Sequence, residues 1–85
     1  MNDVNDLEVV AANVRREMAM RGWSQTDLAQ RTGLKQAQVS EILSGKRDHG
    51  LKKLGKVAKA FGLRTSALLM PLPDEEIAIF SGKSA

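Results

Sequence analysis

The sequence predicts an all-α fold of five short helices, and three observations carry that prediction. Apolar residues recur at helical spacing in two stretches, Leu7, Val10, Ala11, Val14 and Met18 and then Leu51, Leu54, Val57, Ala58 and Phe61, the signature of helices with one buried stripe. Gly22, Gly33, Gly45 and Gly62 each come directly after a helical pattern, where a chain leaving a helix favours glycine. Between the two stripes, Ser24 to Arg47, SQTDLAQRTGLKQAQVSEILSGKR, reads as two shorter helices pivoting on Gly33.

Residues 1–5 are expected to be a frayed end. The first helix runs from Asp6, a plausible cap, to about Arg21. Trp23 comes next, between two helices and with no aromatic companions, so packing is expected of it rather than base stacking. Ser24 caps the second helix, with Asp27 three residues on closing a capping box. Leu28 and Ala29 are the apolar positions of that helix. Ala29 is small because two helices crossing steeply over so short a turn need close backbone approach. Leu34 fills the turn, and a third helix from about Gln36 to Ser44 turns Val39 and Ile42 inward. The unit is a helix-turn-helix.

Ser44 to Gly50 is a polar loop bounded by glycines, and His49, the single histidine, is expected to be exposed there. The fourth helix, about Leu51 to Ala60, buries Leu51, Leu54, Val57, Ala58 and Phe61 and carries Lys52, Lys56 and Lys59 outside. A fifth, from about Thr65 to Met70, offers Leu68 and Leu69 to the core and Met70 to a partner chain. Pro71-Leu72-Pro73 stops all helix. The chain thus divides into a domain at 6–70 and a tail at 71–85, acidic at Asp74 to Glu76 and apolar at Ile77 to Phe80. The apolar patch can fold back, pair with a second copy or lead into another domain.

The Ser24–Arg47 unit resembles the Cro/C1-type (XRE-like, phage-repressor-like) helix-turn-helix family. Gln25 opening one helix, Gly33, Gln36 opening the next, and Ser44-Gly45-Lys46 after it all match that family's pattern, and the resemblance covers roughly Val10 to Met70. It implies a compact five-helix DNA-binding domain. Two departures stand out. Lys35 occupies a position that in relatives often holds a capping Ser or Thr, and its charge is unfavourable at a helix N-terminus unless a phosphate lies nearby. Met18 and Leu43 stand where many relatives carry a paired Arg and Glu. The exchange of an ion pair for apolar contact is often neutral or stabilising, and the two are expected to touch.

Charge agrees with a nucleic-acid face. The net +3 is unevenly spread: residues 1–30 balance to −2, 31–64 to +7, and 65–85 to −2. Positive charge therefore gathers around the third helix, at Arg31 and Lys35 before it and on the loop and fourth helix after it. On the third helix Gln36, Ala37, Ser40, Glu41 and Ser44 share the face opposite Val39 and Ile42. Small polar residues there suit a major-groove reader, because bulky ones would hold the helix away from the bases. Base-reading is accordingly expected of Lys35, Gln36, Ala37, Ser40 and Glu41. Gln36 suits adenine, Lys35 guanine, Ala37 a thymine methyl and Glu41 a cytosine amino group. Phosphate contacts are expected of Gln25, Lys46, Arg47, Lys52 and Lys53.

Eighty-five residues with 42% apolar content suffice for one small domain. Absence of cysteine removes disulfides and thiolate metal sites. No secretory signal and no run long enough to span a bilayer is evident, so a cytoplasmic, nucleoid-associated protein is expected. No metal, cofactor or catalytic residue is expected. Gly82-Lys83-Ser84 imitates the end of a phosphate-binding loop but has Ile77 where the first glycine belongs. The leading expectation is a DNA-binding transcriptional regulator, a repressor type acting as a homodimer on double-stranded operator DNA. The alternative is an antitoxin-type module binding a partner protein through residues 71–85.

Overall fold

The computed structural model describes residues 6–71. Within that range the chain forms α1 (Asp6–Arg21), α2 (Gln25–Thr32), α3 (Gln36–Ser44), α4 (Gly50–Phe61) and α5 (Thr65–Leu69). The expected elements are all present, with α4 and α5 differing by one residue at their ends. The tail readings fall on residues beyond Pro71 and lie outside the described residues.

Local chemistry accounts for the boundaries of α2. The Ser24 hydroxyl accepts from the Asp27 N–H at 3.1 Å, and the Asp27 carboxylate accepts from the Ser24 N–H at 2.8 Å, satisfying two otherwise orphaned donors. The Ser24 backbone N–H holds the Asp27 carboxyl below the usual carboxylate range. At the other end Gly33 adopts φ 78° and donates its N–H to the Ala29 carbonyl, an exit that a β-carbon would disfavour.

One core unites all five helices. Val14, Met18, Leu28, Leu34, Val39, Ile42, Leu54, Val57, Phe61 and Leu68 meet in it, with Ala29 buried among them. Leu28, Val39 and Leu68 have no exposed surface; full burial of such a side chain contributes about 1.5–3 kcal/mol. Met18 lies inside this cluster and Leu43 packs against it.

Three polar fastenings inside α1 were not apparent from its apolar stripe. Asn13 is buried and donates through Nδ2 to the carbonyls of Leu68 and Met70, both at 2.8 Å. It satisfies the end of α5, a helix too short to stand alone. The Arg15 guanidinium donates to the Leu43 carbonyl at 2.6 Å, a favourable cation at the C-terminal end of α3. Arg21 bridges the Glu17 carboxylate (2.5 Å) and the Phe61 carbonyl (2.8 Å), tying α1 to the end of α4. Burial pushes the Glu17 carboxyl up, but Arg21 and Arg16 outweigh it and hold the group below its ordinary value.

Trp23 packs as expected. Its ring stacks on Phe61 with centroids 5.4 Å apart, and the Arg31 guanidinium lies 4.1 Å from its centroid, a cation–π arrangement.

Three expectations about burial are corrected. Leu51 is 67% exposed and Leu69 41% exposed. In the short α5, Asn13 fixes the backbone so that Leu68 points inward, and its neighbour about 100° further round faces out. Leu51 sits in the first turn of α4 on the lip of a cleft of about 260 Å³, lined also by Leu7, Val10 and Leu69. His49, conversely, is half-buried. Its Nε2 is enclosed without a hydrogen-bond partner among the described residues, beside a cavity of about 20 Å³ lined by Leu7, Val10, Ile42 and Leu54. The loop folds back against α1: a β-carbon on Gly45 would meet the Leu7 carbonyl at 3.4 Å and Ala11 at 3.5 Å. That return carries His49 inward.

Candidate nucleic-acid interface

Short-range bonds fix the turn of the helix-turn-helix. The Thr32 hydroxyl donates to the Leu28 carbonyl at 2.8 Å and accepts from the Leu34 N–H at 3.2 Å, bridging the turn around Gly33. Leu34 then drops into the core. α3 begins after Lys35, whose side chain makes no capping hydrogen bond. The cap comes from the opposite direction: Gln38 Oε1 accepts from the Lys35 N–H at 3.0 Å, the return half of a capping box. The spacing of Lys35 and Gln38 carried that signal, but the capping view of Lys35 alone missed it.

α3 has two contrasting sides. Val39 is fully buried and Ile42 is 2% exposed, while Gln36, Ala37, Ser40 and Ser44 are exposed. Because α1 holds the C-terminal carbonyl of α3 through Arg15, and α2 holds its start through the turn, the exposed side has a fixed tilt. It carries a carboxamide, a methyl group and two hydroxyls, with no aromatic or long aliphatic side chain to keep it from a groove.

The expected site residues divide between α3, the start of α2, and the loop and helix after α3. Lys35, Gln36, Ala37 and Ser40 are exposed, and Glu41 is half-buried at the edge of the same helix. Gln25 is exposed at the first position of α2, next to Thr26, which is joined to α3: Gln36 Nε2 donates to Thr26 Oγ1 at 2.9 Å. Lys46 and Arg47 are exposed in the loop after α3, and Lys52 and Lys53 lie in the first turns of α4, exposed and half-buried respectively.

Glu41 and Arg47, assigned to a base and to phosphate, are brought to each other. Arg47 Nη1 stands 3.4 Å from Glu41 Oε2, an exposed pair contributing about 0–1 kcal/mol and therefore readily exchanged for another partner. Thr26 had no signal in the sequence, since its partner lies ten residues away and only the helix crossing brings them together. Among the described residues no cluster of His, Cys, Asp or Glu could hold a metal ion, and no helix is long and apolar enough to cross a membrane.

Comparison with known proteins agrees with this geometry. The helix-turn-helix family model HTH_3 matches residues 14–68. A hypothetical transcription factor of Neisseria meningitidis serogroup B is 32% identical over 83 residues, covering 96% of this chain and 77% of that protein. The crystal structure of a hypothetical transcription factor from Neisseria superposes with a TM-score of 0.76, at 32% identity over 87% of this chain and 84% of the other. The restriction-modification controller protein C.AhdI from Aeromonas hydrophila superposes at 0.70, with 28% identity over 76% of this chain and 98% of its own. A repressor from a Salmonella-temperate phage, at 21% identity and a TM-score of 0.61, covering 93% of this chain and 92% of the other, shares the fold. An α3 held at both ends with a slim polar face outward, together with these matches, shows that the chain belongs to the Cro/C1-type helix-turn-helix family of DNA-binding transcriptional regulators.

Proposed function

We propose that the protein is a sequence-specific repressor that binds an operator of two similar half-sites as a homodimer, with α3 in the major groove. The observation that carries the reading is the division of α3 between a buried Val39–Ile42 side and an exposed side of Gln36, Ala37 and Ser40. A helix so divided can enter a groove about 12 Å wide without losing its core contacts. Base discrimination falls to Lys35, Gln36, Ala37, Ser40 and Glu41. Register falls to Gln25, Lys46, Arg47, Lys52 and Lys53, which face the phosphate chain and report no sequence themselves.

A single short helix reads only a few base pairs, so two copies about one helical turn apart multiply the specificity. Exposed Leu51, Leu69 and Met70 supply apolar surface that supports pairing of two copies. Occupied promoter DNA then excludes polymerase, which places the work in the cytoplasm at the nucleoid. Selection of bound sequences from a random duplex pool tests the whole reading. A repeated, two-fold related half-site is the expected product; recovery of unrelated sequences sinks it.

A further inference from the structure

Gln36 opens α3 and Thr26 lies in the first turn of α2, and a side-chain hydrogen bond between them joins the exposed surfaces of the two helices. Both residues are exposed, so the bond contributes little to the core. Its consequence is orientation. A free glutamine carboxamide at the head of a helix samples several rotamers and both faces of its amide, and ordering it on binding costs about 0.5–1.5 kcal/mol. A carboxamide already held by a neighbour enters the groove with that cost met during folding.

We infer that Thr26 is a positioning residue for base recognition, holding the Gln36 carboxamide in place at the head of α3. This rests on the proposed role of α3 as the reading helix. The Gln36 nitrogen carries two protons, one beside Oε1 and one on the far side. With Thr26 Oγ1 accepting the far proton, Oε1 and the near proton remain as an adjacent acceptor and donor. That edge matches adenine, which offers N6–H and N7 side by side in the major groove. Thr26 therefore pre-orders the side chain that reads one operator position without touching a base.

The test begins with sequences enriched by the parent protein from a random duplex pool, and continues with binding of each single-base variant of the enriched half-site. Thr26→Val keeps the branched shape and removes the hydroxyl. It is expected to lower discrimination at one position, adenine in the parent site, by about 3- to 10-fold, the cost of ordering one side chain. Affinity for unrelated duplex should be unchanged, and Thr26→Ser should restore the parent profile. In a Gln36→Ala background Thr26→Val should have no further effect. Unaltered discrimination in Thr26→Val, an equal loss on every duplex, or an additive loss in the Gln36→Ala background overturns the inference. So does guanine at the affected position. Failure of the parent to enrich any sequence overturns the reading role of α3 and this inference with it, whereas the other outcomes leave that role standing. Melting curves of both Thr26 variants separate loss of fold from loss of positioning.

Discussion

α3 and α4 are built on the same plan and present different surfaces. Each buries one stripe, Val39 and Ile42 in α3 and Leu54, Val57, Ala58 and Phe61 in α4. Their exposed faces differ in kind. α4 presents Lys52, Lys56 and Lys59, and no ion pair among the described residues engages them. α3 presents carboxamides, hydroxyls, a methyl group and one carboxylate, and its three long polar side chains, Gln36, Gln38 and Glu41, are each already held by a neighbour. In the proposed reading, the free lysines act at range on the phosphate charge, the held polar groups of α3 distinguish bases at contact, and affinity and specificity are divided between two helices that share one core.

The division can be broken most severely from beneath. Leu28→Ala, at a fully buried position serving both helices, is expected to cost about 2–5 kcal/mol of stability. Urea denaturation should show it, and specific and non-specific DNA binding should fall together as the fold is lost. Asn13→Leu leaves the Leu68 and Met70 carbonyls without their donor and should destabilise by about 1–3 kcal/mol. Once folded at low temperature it should retain the parent's sequence preference; a changed preference would mean that α5 reaches the reading face.

Gln36→Ala addresses α3 alone. A loss of about 1–3 kcal/mol is expected on the preferred operator, with relaxed choice at one base pair. An equal loss on scrambled duplex would assign Gln36 to the phosphate side of the comparison. Lys53→Ala addresses α4, and should weaken binding to every duplex while reducing the log–log salt slope by about 0.9. A slope equal to the parent's removes that contact.

The support common to both faces is acid-sensitive. The folded Glu17 carboxyl lies below its unfolded value of 4.5. Its contribution is therefore present above pH 4.5 and is lost as pH falls through the folded value. Glu17→Gln should narrow the difference in denaturation midpoint between about pH 7 and about pH 3. An undiminished difference would place the acid sensitivity on other carboxylates.

Much of this architecture was legible because it is local. Ser24 and Asp27 are three residues apart, so their reciprocal bonds depend on nothing beyond one helical turn. The limits of α3 were readable for the same reason, between Lys35 and Gly45. The candidate site was legible as a face but not as a set of bonds. Gln36 and Ala37 could be placed on the exposed side from period alone, whereas Gln36 with Thr26, and Glu41 with Arg47, depend on how α2 and the loop approach α3. Leu51 and Leu69 failed for a related reason: period identifies an apolar position, but a neighbour must exist to cover it.

By itself, then, the sequence determined the helices, their caps, the turn at Gly33, the polarity of α3 and the basic stretch beyond it. These are consequences of backbone sterics, side-chain period and charge, all set within a few residues. The tertiary structure alone decided that Asn13 and Glu17 would be buried with partners, that His49 would turn inward, and that Thr26 would take hold of Gln36. Each of those outcomes requires two segments distant in the chain to meet, and only the shared core brings them within bonding distance.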